Sequence, residues 1–144
     1  MLPMAYDLSQ TTLYRLIEAG QLARNSLLRP LAELGLAAGD DAIILALPKS
    51  EAVSIKMLCA GVGLDADSLE LRLERLVSLG MVRRIMIEGE VVSDVALSEQ
   101  GSKVQKKLRA YWQELEEALM GELKPKQQRR LEAIMTRFTN LLAL

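Results

Sequence analysis

The stretch GLDADSLELRLERLVSLGMVRR, from Gly63 to Arg84, decides the fold. The stretch begins at a glycine turn and continues through a helix predicted over 67–79. Gly80 ends this helix. A shorter helix over 54–62, with Ser54 as its cap, precedes the turn. Two helices joined by a short glycine-containing turn form a helix-turn-helix unit.

The hydrophobic pattern changes after Gly80. The runs 81–87 and 91–97 are rich in Val, Ile and Met, and Glu88-Gly89-Glu90 separates them. Because glycine suits the tight turn of a hairpin, these runs predict a β-hairpin directly after the helix-turn-helix. The unit is therefore predicted to be winged.

Long apolar helices are predicted on both sides of this unit. Leu8–Leu34 is amphipathic, with Ser9 or Thr11 as its cap, and a short helix follows over 40–47. Ser98 caps a helix to about Met120, and Pro125 opens the last one. The fold class is mainly α with a small β-hairpin between the fourth and fifth of six helices. We expect one domain over 1–144, with the winged module at 39–97.

The flanking segments 8–35 and 98–144 are too apolar for an isolated winged module. Packing of these helices across a two-fold axis is the simplest way to bury them. The sequence therefore predicts a homodimer.

The composition argues against catalysis. The 144 residues include no histidine and one cysteine, and they contain neither a glycine-rich phosphate loop nor a nucleophile elbow. We expect no enzyme activity, no metal and no cofactor. No apolar run reaches the roughly 18–20 residues that a membrane span needs, so a soluble, cytoplasmic protein without a membrane partner is expected.

In this order and spacing, the motifs resemble those of the MarR family of bacterial transcriptional regulators. Segment 63–69 is similar to the family's entry into its recognition helix, and segment 73–84 to its exit. Segment 95–101, Val-Ala-Leu-Ser-Glu-Gln-Gly, is similar to the strand that returns from the wing. The resemblance implies a homodimer whose recognition helices enter successive major grooves of a pseudo-palindromic operator. It also implies release from DNA by a small, often phenolic, effector.

The predicted recognition helix has an unusual outer face. Leu69, Leu73 and Leu76 share one side and should face the core, so the opposite side should meet the groove. An acidic side chain there can accept from a cytosine amino group, and a leucine can contact a thymine methyl. The candidate DNA-contacting residues are Ser54, Lys56, Asp67, Ser68, Leu71, Arg72, Arg75, Arg83 and Arg84.

Charge is distributed against expectation for a DNA-binding module. Segment 54–101 has five basic and eight acidic residues, a net charge of −3, whereas 102–144 has nine basic and five acidic residues, a net +4. The family's Asp-x-Arg wing motif would fall on Gly89 and Val91, beside Glu88 and Glu90. Phosphate neutralisation supplies most non-specific affinity. Two interpretations stay open: a regulator that uses few arginines, or a dimer without direct DNA binding that serves a protein partner or senses a ligand.

Two further groups have alternative interpretations. Tyr14, Tyr111 and Trp112 lie on the predicted dimer helices, where they line an effector pocket or form part of the core. A basic run at 103–109 steers DNA or forms a solvated helix face that pairs with the glutamates further along.

Overall fold

A computed structural model describes residues 7–86, 88–89 and 94–143 of the chain. Among these residues, none of the helices is long and apolar enough to cross a membrane. A short 3-10 helix at Leu8–Gln10 opens the described part. The remaining elements are α1 (Thr12–Glu33), α2 (Asp40–Ala46), α3 (Ile55–Val62), α4 (Ala66–Ser78), β1 (Val82–Ile85), β2 (Asp94–Leu97), α5 (Glu99–Met120) and α6 (Pro125–Leu142).

Contacts divide the chain into two compact units, Met1–Arg109 and Ala110–Leu144. The first unit contains the helix-turn-helix and the hairpin. Its core is built from leucine, isoleucine and valine. Leu69, Leu73 and Leu76 of α4 are fully buried, so the face predicted to seat this helix does so. Burying a leucine side chain contributes roughly 1.5–3 kcal/mol, so these three residues fix the rotation of α4 about its axis.

The helix-turn-helix begins at caps encoded in the sequence. The Ser54 hydroxyl accepts from the backbone N–H of Met57, as predicted for the start of α3. Gly63 ends α3 with a φ of +69°, a conformation that favours glycine. The predicted start of α4 was late by one residue, because Asp65 is its cap and accepts from the N–H of Ser68. The helix ends at Ser78, one residue before the predicted Leu79.

The first helix also starts later than predicted. The predicted start at Leu8 is wrong, because a 3-10 turn precedes Thr11 and the α-helix begins at Thr12. The Thr11 side chain, one of the two predicted caps, accepts from the N–H of Tyr14.

The hairpin predicted after Gly80 is present as an antiparallel pair of strands. Val82 is opposite Leu97 and Ile85 is opposite Asp94. The first strand lacks Met81 and Met86 of the predicted run 81–87, and residues 87 and 91–93 of the two predicted runs lie outside the described residues. An isolated bridge joins Val53 to Val95 and adds a third short segment to this sheet. Of the predicted turn, Glu88 and Gly89 are described as turn residues, whereas the wing positions 90 and 91 lie outside the described residues.

The hairpin and α5 meet at a close backbone contact. Ser98 Oγ donates to the carbonyl of Gly80 and accepts from the N–H of Gly101, which caps α5 as predicted. Gly101 is buried against the carbonyl oxygen of Met81, and a Cβ at Gly101 would overlap that oxygen. The base of the wing is therefore held directly on the first turn of α5.

The second unit consists of the end of α5, a turn at Gly121 and α6. The side-chain amide of Gln128 donates to the carbonyls of Met120 and Leu123 and joins the two helices. No described residue of this unit is buried. Apolar side chains such as Leu119, Ile134 and Leu141 are 51%, 45% and 67% exposed.

Candidate nucleic-acid interface

The face of α4 opposite its buried leucines is open to solvent. Asp67, Leu71, Glu74 and Ser78 are all exposed, as the spacing predicts, and Leu71 is 70% exposed. Helix α4 presents this side outward because its other side is in the core. In a winged helix-turn-helix, such a surface is the one that enters a DNA groove.

The preceding helix adds a second exposed segment. Lys56 and Met57 are both exposed in the first turn of α3, and Met57 is 67% exposed. Ser68 is half-buried, and its backbone N–H and hydroxyl both donate to Asp65. These two hydrogen bonds, first from the backbone and then from the hydroxyl, lower the pKa of the Asp65 carboxyl.

Two of the candidate DNA-contacting arginines bind a buried carboxylate within the protein. Arg72 Nη1 donates to the carbonyl of Ala38 at 2.9 Å and lies 3.4 Å from Asp40 Oδ1. Arg75 Nη2 forms an ion pair with Asp40 Oδ2. Asp40 is fully buried at the start of α2, where it also accepts from the N–H of Ala37 at 2.7 Å. The two guanidinium side chains remain 36% and 40% exposed.

The neighbouring carboxylate is equally buried and faces α1. Arg24 Nη1 donates to both oxygens of Asp41, at 2.8 and 2.6 Å. Consecutive residues at the start of α2 therefore join α2 to α4 on one side and to α1 on the other. A negative charge is also favourable at a helix N-terminus.

A third arginine is held by a residue of α4. Arg84 on β1 forms a two-pronged pair with Glu70, with Nη1–Oε1 and Nη2–Oε2 distances of 3.1 and 2.6 Å. These hydrogen bonds to the carboxylate raise the pKa of Arg84, because they favour its charged form. The pair ties the wing to α4, and Arg84 is only 26% exposed.

Two basic candidates of the module are exposed without such a pair. Lys56 and Arg83 are exposed, and among the residues that the structure describes neither forms an ion pair. Glu88, at the described part of the hairpin turn, is exposed as well. Within the winged module, the cations most accessible to a phosphate backbone are therefore Lys56 on α3 and Arg83 on β1, and not the arginines of α4.

The sequence predicted a short helix over 40–47 but did not reveal the arginine partners of Asp40 and Asp41 at its start. The available signal was their position: two acids open a helix whose next residues, Ile43 and Ile44, are fully buried. Acidic residues at such a position need cationic partners. Which arginines supply them depends on contacts between residues 17 to 35 positions apart, and a sequence pattern does not show these.

The aromatic candidates for an effector pocket lie in different units. Tyr14 is on α1 in the first unit and is 47% exposed. Tyr111 and Trp112 are in the second unit, where Tyr111 is half-buried and Trp112 is 40% exposed. Within the described ranges, no group of three or more Cys, Asp or Glu side chains is arranged to hold a metal ion.

Solved structures with the same arrangement are known, although no protein-family model and no curated protein matches the sequence. A cysteine-to-serine mutant of MarR from E. coli, solved with operator DNA, has a TM-score of 0.76 at 22% identity and covers 88% of this chain and 92% of its own. The fold is that of the MarR regulators.

Two other regulators have higher TM-scores against this chain than the MarR mutant does, although their sequence identity is lower. SlyA has a TM-score of 0.84 at 14% identity, covering 92% of this chain and 95% of its own. BpsR from Bordetella bronchiseptica has a TM-score of 0.81 at 16% identity, covering 93% and 96%, and its DNA binding is described as regulated by 6-hydroxynicotinic acid. The resemblance inferred from the motifs is thus confirmed at the level of the fold.

Proposed function

We propose that this chain is a DNA-binding transcriptional regulator of the MarR type, and not an enzyme. The observation that carries the proposal is the exposed outer face of α4, seated by three buried leucines and followed by a hairpin. The same fold in E. coli MarR has been solved with operator DNA. The partner proposed for this chain is double-stranded DNA, bound through Lys56, Ser54, Arg83 and the α4 face.

The active form proposed is a homodimer. The second unit has no buried residue among those described, and several of its exposed side chains are large and apolar. On α6 these are Ile134, Met135, Leu141 and Leu142. A second copy would bury these side chains. Two recognition helices would then address half-sites roughly 34–36 Å apart on a pseudo-palindromic operator, which suits repression. Static light scattering at micromolar concentration should give twice the 16.0 kDa chain mass, and a monomer would contradict the dimer.

DNA binding is tested by fluorescence anisotropy with labelled fragments of the encoding genome, including the promoter of the gene itself. We expect saturable binding whose affinity falls steeply with salt, because counterions are released from each neutralised phosphate. Lys56→Ala and Arg83→Ala should each reduce the salt slope. Lys126→Ala, which removes an exposed cation from α6, is the matched control and should leave the slope unchanged.

A second function is favoured by the internal ion pairs. Three of the four candidate arginines are paired within the protein. Met57 and Leu71 are about 70% exposed, and Leu71 shares its helix face with the exposed acids Asp67 and Glu74. Such a surface suits a protein partner better than phosphate. If no genomic fragment binds at low salt, where electrostatic attraction is strongest, the partner-binding function replaces DNA binding. Leu71→Arg should then create measurable non-specific DNA affinity.

Regulation by a small aromatic effector is proposed from the resemblance to the MarR family. Tyr14, Tyr111 and Trp112 are the candidate contacts, and all three keep partial exposure in the single chain. Quenching of the fluorescence of Trp112, the one tryptophan of the chain, during titration with hydroxybenzoates would support this assignment. An unchanged spectrum would argue against it.

A further inference from the structure

A cleft in the first unit brings positive charges together, and none of the described residues that line this cleft carries a carboxylate. It has a volume of about 300 Å³ and lies where the segment after α2 faces α5. This volume is at the lower end of the range for small-molecule sites. The lining residues are Lys49, Ser102, Gln105, Lys106 and Arg109.

The floor of the cleft is fixed by Gln105. This side chain is only 3% exposed, and its Nε2 donates to the carbonyls of Ile44 and Leu47 at 2.8 and 2.7 Å. The nitrogen of the carboxamide must point toward these two carbonyls, because the amide oxygen in the same position would be repelled by the two carbonyl oxygens. Both amide hydrogens are used, so the carboxamide cannot rotate without losing its bonds to Ile44 in α2 and to Leu47 just after it.

The walls carry the charge. Ser102, Lys106 and Arg109 are spaced four and three residues apart on α5, which places them on one face of the helix. Lys49 approaches from the segment after α2. In the part of the chain that the structure describes, none of these three cations forms an ion pair. The glutamate pairing expected from the sequence for the basic run of α5 is therefore not seen there.

We propose that this cleft binds a small anion through a phosphate or carboxylate group. Arg109 offers a planar pair of donors that matches either oxyanion, whereas the two lysines act as point charges and Ser102 supplies a hydroxyl. A bound oxyanion relieves the repulsion among three like charges. The site lies outside the α4 face, and the inference does not depend on DNA binding.

The test is a titration of the full chain, at constant ionic strength set with sodium chloride, with inorganic phosphate or benzoate. Melting temperature and isothermal calorimetry should show saturable binding of at least one of the two anions. The phosphate and benzoate arms distinguish the two oxyanions. The variant Lys106→Gln/Arg109→Gln should weaken this binding by roughly tenfold or more, as expected from loss of charge-assisted hydrogen bonds.

The matched control is Lys103→Gln/Lys107→Gln, which removes the same charge from exposed positions of α5 outside the cleft. It should bind the anion as the unmodified protein does. Equal weakening in both variants, or no saturable binding of either anion, would overturn the proposal. If neither anion binds but the cleft variant alone loses DNA affinity, the cations contact the DNA backbone and the small-anion site is refuted. Matching melting temperatures without anion verify that both variants fold.

Discussion

Replacing Asp40 with alanine tests whether a buried carboxylate holds α4 in place. The carboxylate is fully buried, and the change removes its pairing with Arg72 and Arg75 and its hydrogen bond from the N–H of Ala37. Breaking a buried ion pair costs about 3–5 kcal/mol, but the arginines are more than a third exposed and regain water, so about 2 kcal/mol is retained. The orphaned amide adds about 1 kcal/mol. The free energy of unfolding should fall by about 3 kcal/mol.

This loss is large enough to measure by thermal unfolding. At roughly 2.1 cal/mol/K per residue, the entropy of unfolding of 144 residues is about 0.3 kcal/mol/K, so about 3 kcal/mol lowers the melting temperature by roughly 10 °C. Differential scanning calorimetry at one fixed protein concentration is the assay, because the melting temperature of a dimer depends on concentration. Urea unfolding supplies an independent free energy.

A matched control is Asp67→Ala, which removes an exposed aspartate from the first turn of α4 and should cost less than about 1 kcal/mol. A double-mutant cycle of Asp40→Ala with Arg75→Gln should return a coupling energy of about 1 kcal/mol or more. A melting temperature within 3 °C of the unmodified protein, or zero coupling, would refute the assignment of Asp40 as the anchor of α4.

Further expectations concern the wing, its base and the cap of α4. Glu70→Gln should release Arg84 and steepen the salt slope of DNA binding by about 0.9 for each new phosphate contact, and an unchanged slope in anisotropy would contradict the release. Gly101→Ala should destabilise by about 1–3 kcal/mol in urea, because the added methyl overlaps a backbone carbonyl. Gly20→Ala has open space around its Cβ and should instead stabilise α1 by up to about 1 kcal/mol. Because the pKa of Asp65 is lowered on folding, its stabilisation is complete above the ordinary aspartate pKa of about 3.9 and is lost as pH falls through the lower folded value. Asp65→Asn should therefore melt earlier at neutral pH but not near pH 2, and an equal difference at both would count against the cap.

The parts of the fold that follow from local spacing were predictable. The buried side of α4 follows from leucines three and four residues apart, and Ser54 and Ser98 cap the helices that the sequence assigned to them. Asp65 was missed as the cap of α4 because it stands in the predicted turn, two residues before the helix was expected to start.

The candidate site was less predictable, because most of its arginines form ion pairs with residues that are distant in sequence. A net count treats every arginine as available, but Arg72 and Arg84 pair with carboxylates 32 and 14 residues away in sequence. The interaction of a cation with phosphate depends on what already neutralises it, and only the packing of α2 and β1 against α4 shows this. Lys56 and Arg83 are consequently the stronger candidates for contacts with DNA phosphates.

The two adjacent carboxylates of α2 have a mechanical consequence. Asp41 is bonded to α1 and Asp40 to α4, and between them lies a single peptide bond at the head of a seven-residue helix. A tilt of α1 that displaces Arg24 must either break its bonds or turn α2, and a turning α2 pulls the arginines of α4 with it. If α1 belongs to the proposed dimer contact, we expect the angle between two subunits to determine how far apart their α4 helices stand.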